Sequence, residues 1–286
     1  AFYHVEIASD NGVSCAQHVL SRYYKEKDLG LSKEYFTKAL ENKCSSALYE
    51  ESRKMNLNYK ELLFEAADMG LSVAQYTLAT ISLITGEMSK EEVVLYLQRS
   101  LTRGYIKAAV TLGEFFSTGM HGFEIDTKLA FKFYSISGKH GDIESCYWLG
   151  DYHLANDDIF RASLWFKTAS DKGDEIATSL LAKCYFEMST ELGLFVRAEA
   201  FRLLNSLIDK EFTPALYDAS FIYYKGEYNI KKDYEKAFDY MERAASLGYP
   251  AALEMLAKYY KEGVGCEIDL EKSEFYSKRY HDIFLL

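Results

Sequence analysis

The side chains from which a catalytic or metal centre would be assembled are present but scattered. The six histidines are His4, His18, His121, His140, His153 and His281. None belongs to an H-E-x-x-H pair, and no two are spaced to share one helix face. The five cysteines, Cys15, Cys44, Cys146, Cys184 and Cys266, are odd in number and show no C-x-x-C or other metal-ligand spacing. Asn156, Asp157 and Asp158 offer oxygens, but a calcium loop alternates its ligands along a longer run, and this stretch reads as a turn with a helix cap. Gly263-Val264-Gly265 comes nearest to a phosphate-cradling loop; the P-loop, G-x-S-x-G, G-x-G-x-x-G and S-x-x-K are absent. No nucleophile, base, metal set or cofactor box emerges, so an enzyme is not expected.

Composition narrows the classes further. The chain has 286 residues, 49% hydrophobic and 27% charged, in the range of folded globular proteins. No apolar run approaches the roughly 18 residues of a membrane span. The net charge of −10 repels phosphate backbones, so nucleic acid is not an expected partner. The unpaired cysteines favour a reducing, cytoplasmic setting, with periplasmic or secreted locations left open because the start at Ala1 looks trimmed. Two prolines leave long helices uninterrupted.

What positions any site here is a repeat. A glycine, an alanine four residues on, a leucine four further and an aromatic four further recur at Gly12-Ala16-Leu20-Tyr24, Gly104-Ala108-Leu112-Phe116, Gly173-Ala177-Leu181-Tyr185 and Gly248-Ala252-Leu256-Tyr260. Gly70-Ala74-Leu78 matches in part. Weaker copies begin at Lys43, Gly141 and Glu211. The small-residue anchors are Ala16, Ala47, Ala74, Ala108, Ser145, Ala177, Ala215 and Ala252, separated by 27 to 38 residues. A second small position, at Ala130, Ala162, Ala200 and Ala237, is followed three and four residues later by bulky partners, the period of a helix face. Asp28, Asp126, Asp158, Asp233 and Asp269 read as N-caps, and Gly119, Gly226 and Gly263 as helix stops. Each unit is therefore expected to be a helix-loop-helix hairpin. A single hairpin cannot bury its apolar face, and a stack can.

These residues resemble the Sel-1-like repeat family, relatives of the tetratricopeptide repeats. Ala252, Leu256, Tyr260, Gly263, Val264 and Gly265 match the first half of its unit, with Ala257 in place of a glycine. Asp233, Lys236, Ala237, Tyr240, Ala244, Ala245 and Gly248 match the second half. Residues 108 to 141 match as well. Residues 47 to 70 and 189 to 211 depart, and the regular cysteine pair of a disulfide-rich branch is missing. The resemblance implies an all-α fold: one right-handed superhelical α-solenoid of about eight repeats over 1–286, beginning in the second helix of a partial repeat. A longer parent chain is expected for that reason.

The resemblance also implies a non-enzymatic scaffold or adaptor that binds another protein or peptide on a concave face lined by the first helices. An immunity or inhibitor protein acting on a toxin is the alternative, and a hydrolase a weaker one. Exposed groove positions carried over from the anchors are Tyr49, Arg53, Asn56, Tyr76, Tyr147, Asp151, Phe186, Tyr217, Phe221, Tyr224, Glu254 and Lys258, with His18, Arg22 and Lys25 in the first unit. Tyr49, Tyr76, Tyr147 and Tyr217 share one register, two residues after the anchor. Such a line of rigid amphipathic rings suits a groove, and one residue of register error would make it core.

Overall fold

The computed structural model describes residues 2–54 and 58–284, which form helices and turns with no strand among them. Contacts divide the chain into two compact units, 1–140 and 141–286. The first holds α1 (Phe2–Asp10) and four hairpins: α2 (Ser14–Tyr24) with α3 (Leu29–Glu41), α4 (Ser45–Ser52) with α5 (Tyr59–Asp68), α6 (Ser72–Thr85) with α7 (Lys90–Thr102), and α8 (Lys107–Thr118) with α9 (Thr127–Lys139). The second holds four more: α10 (Ile143–Leu154) with α11 (Ile159–Ser170), α12 (Glu175–Leu192) with α13 (Leu194–Ile208), α14 (Thr213–Lys225) with α15 (Tyr234–Ser246), and α16 (Pro250–Glu262) with α17 (Leu270–Phe284).

The local causes are those of the repeat. Asp28, Asp126, Asp158 and Asp233 each accept a hydrogen bond from a first-turn amide of the helix they open. Asp269 does the same for Lys272 N at 2.9 Å. Ala47, Ala74, Ala108, Ala177, Ala215 and Ala252 are completely buried, as are Ala130, Ala162, Ala200 and Ala237 on the opposing helices. Two backbones approach closely only where neither carries a long side chain. Gly150 marks one such close approach: a Cβ there would lie 2.4 Å from the Phe166 ring.

Helix ends explain where the repeats differ. First helices stop eleven residues after the anchor at Gly119, Gly226 and Gly263, each left-handed. The sixth repeat has Met188 at that place, and α12 runs on to 18 residues. Second helices turn out through a left-handed residue. Lys43 (φ 53) and Glu211 (φ 57) keep that turn without glycine, so the two weakest copies hold the same backbone at a steric cost.

Candidate binding face and the cleft beside α12

At the first three anchors, the residue two after the anchor reaches the residue three after the next anchor. His18 Nε2 lies 3.0 Å from Glu50 Oε2, Tyr49 Oη 3.1 Å from Thr77 Oγ1, and Tyr76 Oη 3.2 Å from Thr111 Oγ1. These side chains are buried or half-buried, so their polar tips tie successive hairpins together. Arg53, Arg22 and Lys25 are exposed, and Asn56 lies outside the described residues.

In the second unit, Tyr147 is half-buried and its hydroxyl donates to Asp174, which also accepts from Ala177 N at 2.7 Å. Burial, then the Asp174 carboxylate, pushes the Tyr147 phenol well above its usual range. Tyr217 packs on Phe221 and Tyr249, with ring centroids 4.9 and 5.4 Å away, and Tyr224 stacks on Tyr259 at 5.6 Å. Asp151 and Lys258 are exposed, and Lys258 pairs with Glu254 at 2.7 Å. Exposure fails at two positions. His18 is 8% and Phe186 4% exposed; the Phe186 ring is covered by Phe201 of α13 and by Tyr228 of the loop after α14.

The sixth repeat, like the fourth with Val110 and the eighth with Glu254, carries no tyrosine in this register. Its residue two after the anchor is Ser179, and the residue three after the next anchor is Asp218. Without a phenol between them, a cleft of about 230 Å³ opens, with Phe186, Phe221 and Tyr228 among its walls and Glu187 and Glu227 at its margin. Lys183 reaches Asp218 at 3.0 Å from a side chain that is 52% exposed. Desolvation raises the Asp218 carboxyl above its ordinary range, with the Lys183 charge working against that rise. The Tyr228 ring stacks on Phe186 at 4.4 Å. Tyr228 itself has φ 54, a left-handed conformation costly for a bulky residue, and it occupies the place that Gly265 holds in the next repeat. Sequence reasoning named Phe186 and Phe221 but missed Ser179, Lys183, Asp218 and Tyr228. The signal was a tyrosine absent from its register.

No group of three or more His, Cys, Asp or Glu that could hold a metal occurs among the described residues. His153 is buried, which lowers its imidazole pKa, as a packed ring requires. Burial pushes the Cys146 thiol up to about 11 and Cys184 to about 12, so both are protonated near neutral pH and poor nucleophiles. Cys15 is exposed, with its sulfur 3.7 Å from that of buried Cys44. No helix among the described residues is long and apolar enough to cross a membrane.

Residues 106–142, 143–174, 213–249 and 250–279 each match the Sel1 repeat model. A Xenopus laevis protein, cytochrome c oxidase assembly factor 7A, is 27% identical over 60% of this chain and 62% of its own length. A crystal structure of c5321, a protective antigen of uropathogenic Escherichia coli with an SLR fold, superposes at TM-score 0.73 and 21% identity, covering 99% of this chain and 64% of that one. A Sel1 repeat protein from Oxalobacter formigenes superposes at TM-score 0.61 and 16% identity, over 98% of this chain and 86% of that one. The chain thus spans less than two thirds of the length of the frog and E. coli proteins.

Proposed function

This chain carries Sel1 repeats in an α-solenoid fold, and from that premise we propose that it is a non-enzymatic scaffold binding a partner protein through the first-helix face of residues 141–286. Sel1-repeat proteins generally act by binding other proteins. One observation carries the reading to this face: the repeat's own packing is complete at α14 and α16 but leaves an aromatic-walled cleft beside α12. An aromatic-walled cleft beside charged side chains on this face supports a surface available to something outside the chain.

The test reverses charge without disturbing packing. Asp151 and Lys258 are exposed and share one register, six residues after their anchors. Asp151→Lys with Lys258→Glu should preserve helicity and melting temperature. It should also remove the proteins that chemical cross-linking and mass spectrometry recover with the unaltered chain. An identical set of cross-linked partners would sink the reading.

A further inference from the structure

We propose that the cleft between α12 and α14 is an arginine-binding subsite, in which a guanidinium from a partner peptide takes the place of the tyrosine missing at Ser179 and docks on Asp218. The inference rests on the scaffold reading and names the chemistry it would recognise.

The repeat supplies the first argument. Three times in the first unit, a polar tip two residues after an anchor meets a polar side chain three residues after the next: His18 with Glu50, Tyr49 with Thr77, and Tyr76 with Thr111. Asp218 is the receiving residue of the same pair at the sixth repeat, and Ser179 is too short to reach across. A half-buried carboxylate therefore faces a space that a long donor would fill. Lys183 meets it from one side only, on a half-exposed stem that can swing into water.

Size and charge select the occupant. About 230 Å³ is below the volume of drug-sized ligand sites and too small for a helix, but it suits one long side chain. Among the lining groups, the Asp218 and Glu227 carboxylates outnumber the Lys183 ammonium, with Glu227 also 3.3 Å from Lys225. An anionic group is therefore disfavoured. Between the two cations, the half-buried Tyr228 ring at the cleft wall favours arginine, whose flat guanidinium lies on aromatic faces and presents a fork to a carboxylate. Tyr228 adds a third observation. It is held left-handed at the glycine position of the repeat loop, and that strained backbone delivers the ring to the cleft wall.

The probe is Nα-acetyl-arginine amide, with the neutral isostere Nα-acetyl-citrulline amide as control, titrated into the full chain and followed by backbone amide NMR. Arginine should give saturable shifts around Phe186, Asp218 and Tyr228 in about the millimolar range expected of a single side chain. Citrulline should bind at least about tenfold more weakly, the scale of a charge-assisted bond. Asp218→Asn should bring arginine down to the citrulline level, and Ser179→Tyr should abolish binding in a folded protein. Lys183→Ala should leave arginine binding unchanged or tighten it. Equal binding of the two probes would overturn the subsite, as would loss of arginine binding in Lys183→Ala or no saturable shift at all. If the probe fails while Asp151→Lys with Lys258→Glu still removes cross-linked partners, the subsite falls and the scaffold reading stands.

Discussion

Where α14 meets α16, Tyr217 packs on Phe221 and Tyr249, Tyr224 stacks on Tyr259, and the Tyr259 hydroxyl lies 3.3 Å from Ser220 Oγ in a buried contact. Where α12 meets α14, the same register presents Ser179, Lys183 and Asp218, and a cleft remains. The loops after the two first helices differ in the same sense. Gly265 is held where a Cβ would sit 2.0 Å from the Tyr234 carbonyl oxygen, whereas its counterpart Tyr228 carries a full ring in the same left-handed region. One junction spends its positions on packing. The other gives up packing and accepts backbone strain, the pattern expected of a site rather than of a core.

The sharpest way to break this comparison is to substitute its two loop residues. Gly265→Ala should destabilise by about 3 kcal/mol, since the left-handed backbone and a clash with main-chain atoms both oppose it. Tyr228→Gly should cost only about 1–2 kcal/mol in urea unfolding, because relief of strain offsets part of the lost contact with Phe186. Equal costs at the two positions would mean that Tyr228 is simply core.

Filling the cleft should have a smaller effect of opposite sign. Ser179→Tyr restores the register seen at Tyr49, Tyr76, Tyr147 and Tyr217, so it should raise Tm by about 2–4 °C, the shift that about 1 kcal/mol gives in a domain of this size. A fall in Tm would show that the cleft is too narrow for a ring and that its openness has another cause.

The helical hairpins were legible in the sequence because they rest on short-range chemistry. Asp233 must cap, Gly263 must turn and Ala252 must let a neighbour approach, whatever lies elsewhere in the chain. The site was legible only in part. Tyr49 and Tyr76 occupy the expected helix positions, yet their hydroxyls meet Thr77 and Thr111 of the following hairpin, and a single chain's spacing does not reveal what a side chain meets 28 or 35 residues away. The register places Phe186 on the exposed face, but Phe201 of the next helix and Tyr228, 42 residues on, cover its ring, and helix spacing alone does not show either contact. Asp218 lies one residue beyond Tyr217, and nothing in its own neighbourhood of sequence distinguishes it from a solvated carboxylate.

Acidification separates Asp218 from the ordinary surface carboxylates. Its folded pKa is raised, so on lowering the pH the folded chain takes up this proton before the unfolded chain does, whose pKa is about 3.9. The group's contribution to stability therefore improves as pH falls from neutral through the folded value, and Asp218→Asn should cost no stability at pH 7. Lys183 and Glu187 on α12, with Glu227 and Tyr228 from the loop, are the other charged or titratable groups at the cleft. If Asp218 anchors the guanidinium, affinity for the arginine probe should decline on acidification at a higher pH than an unshifted carboxylate allows. A pH-independent affinity would remove Asp218 from the subsite.

The smallest expected effect tests whether strain by itself marks function. Glu211 has φ 57 at the turn where Gly248 has φ 84 one repeat later, but Glu211 does not line the cleft that Tyr228 lines. Glu211→Gly should therefore stabilise by about 0.5–1 kcal/mol, the relief of a left-handed side chain less the added freedom of glycine in the unfolded chain. Gly248→Ala, with nothing within 4 Å of its Cβ, should cost about as much as Glu211→Gly gains. Matching magnitudes from chemical denaturation would make the Glu211 turn an ordinary substitution in a tolerant loop. Strain at Tyr228 would then owe its meaning to the ring it delivers, because an equal strain at Glu211 delivers no side chain to that cleft.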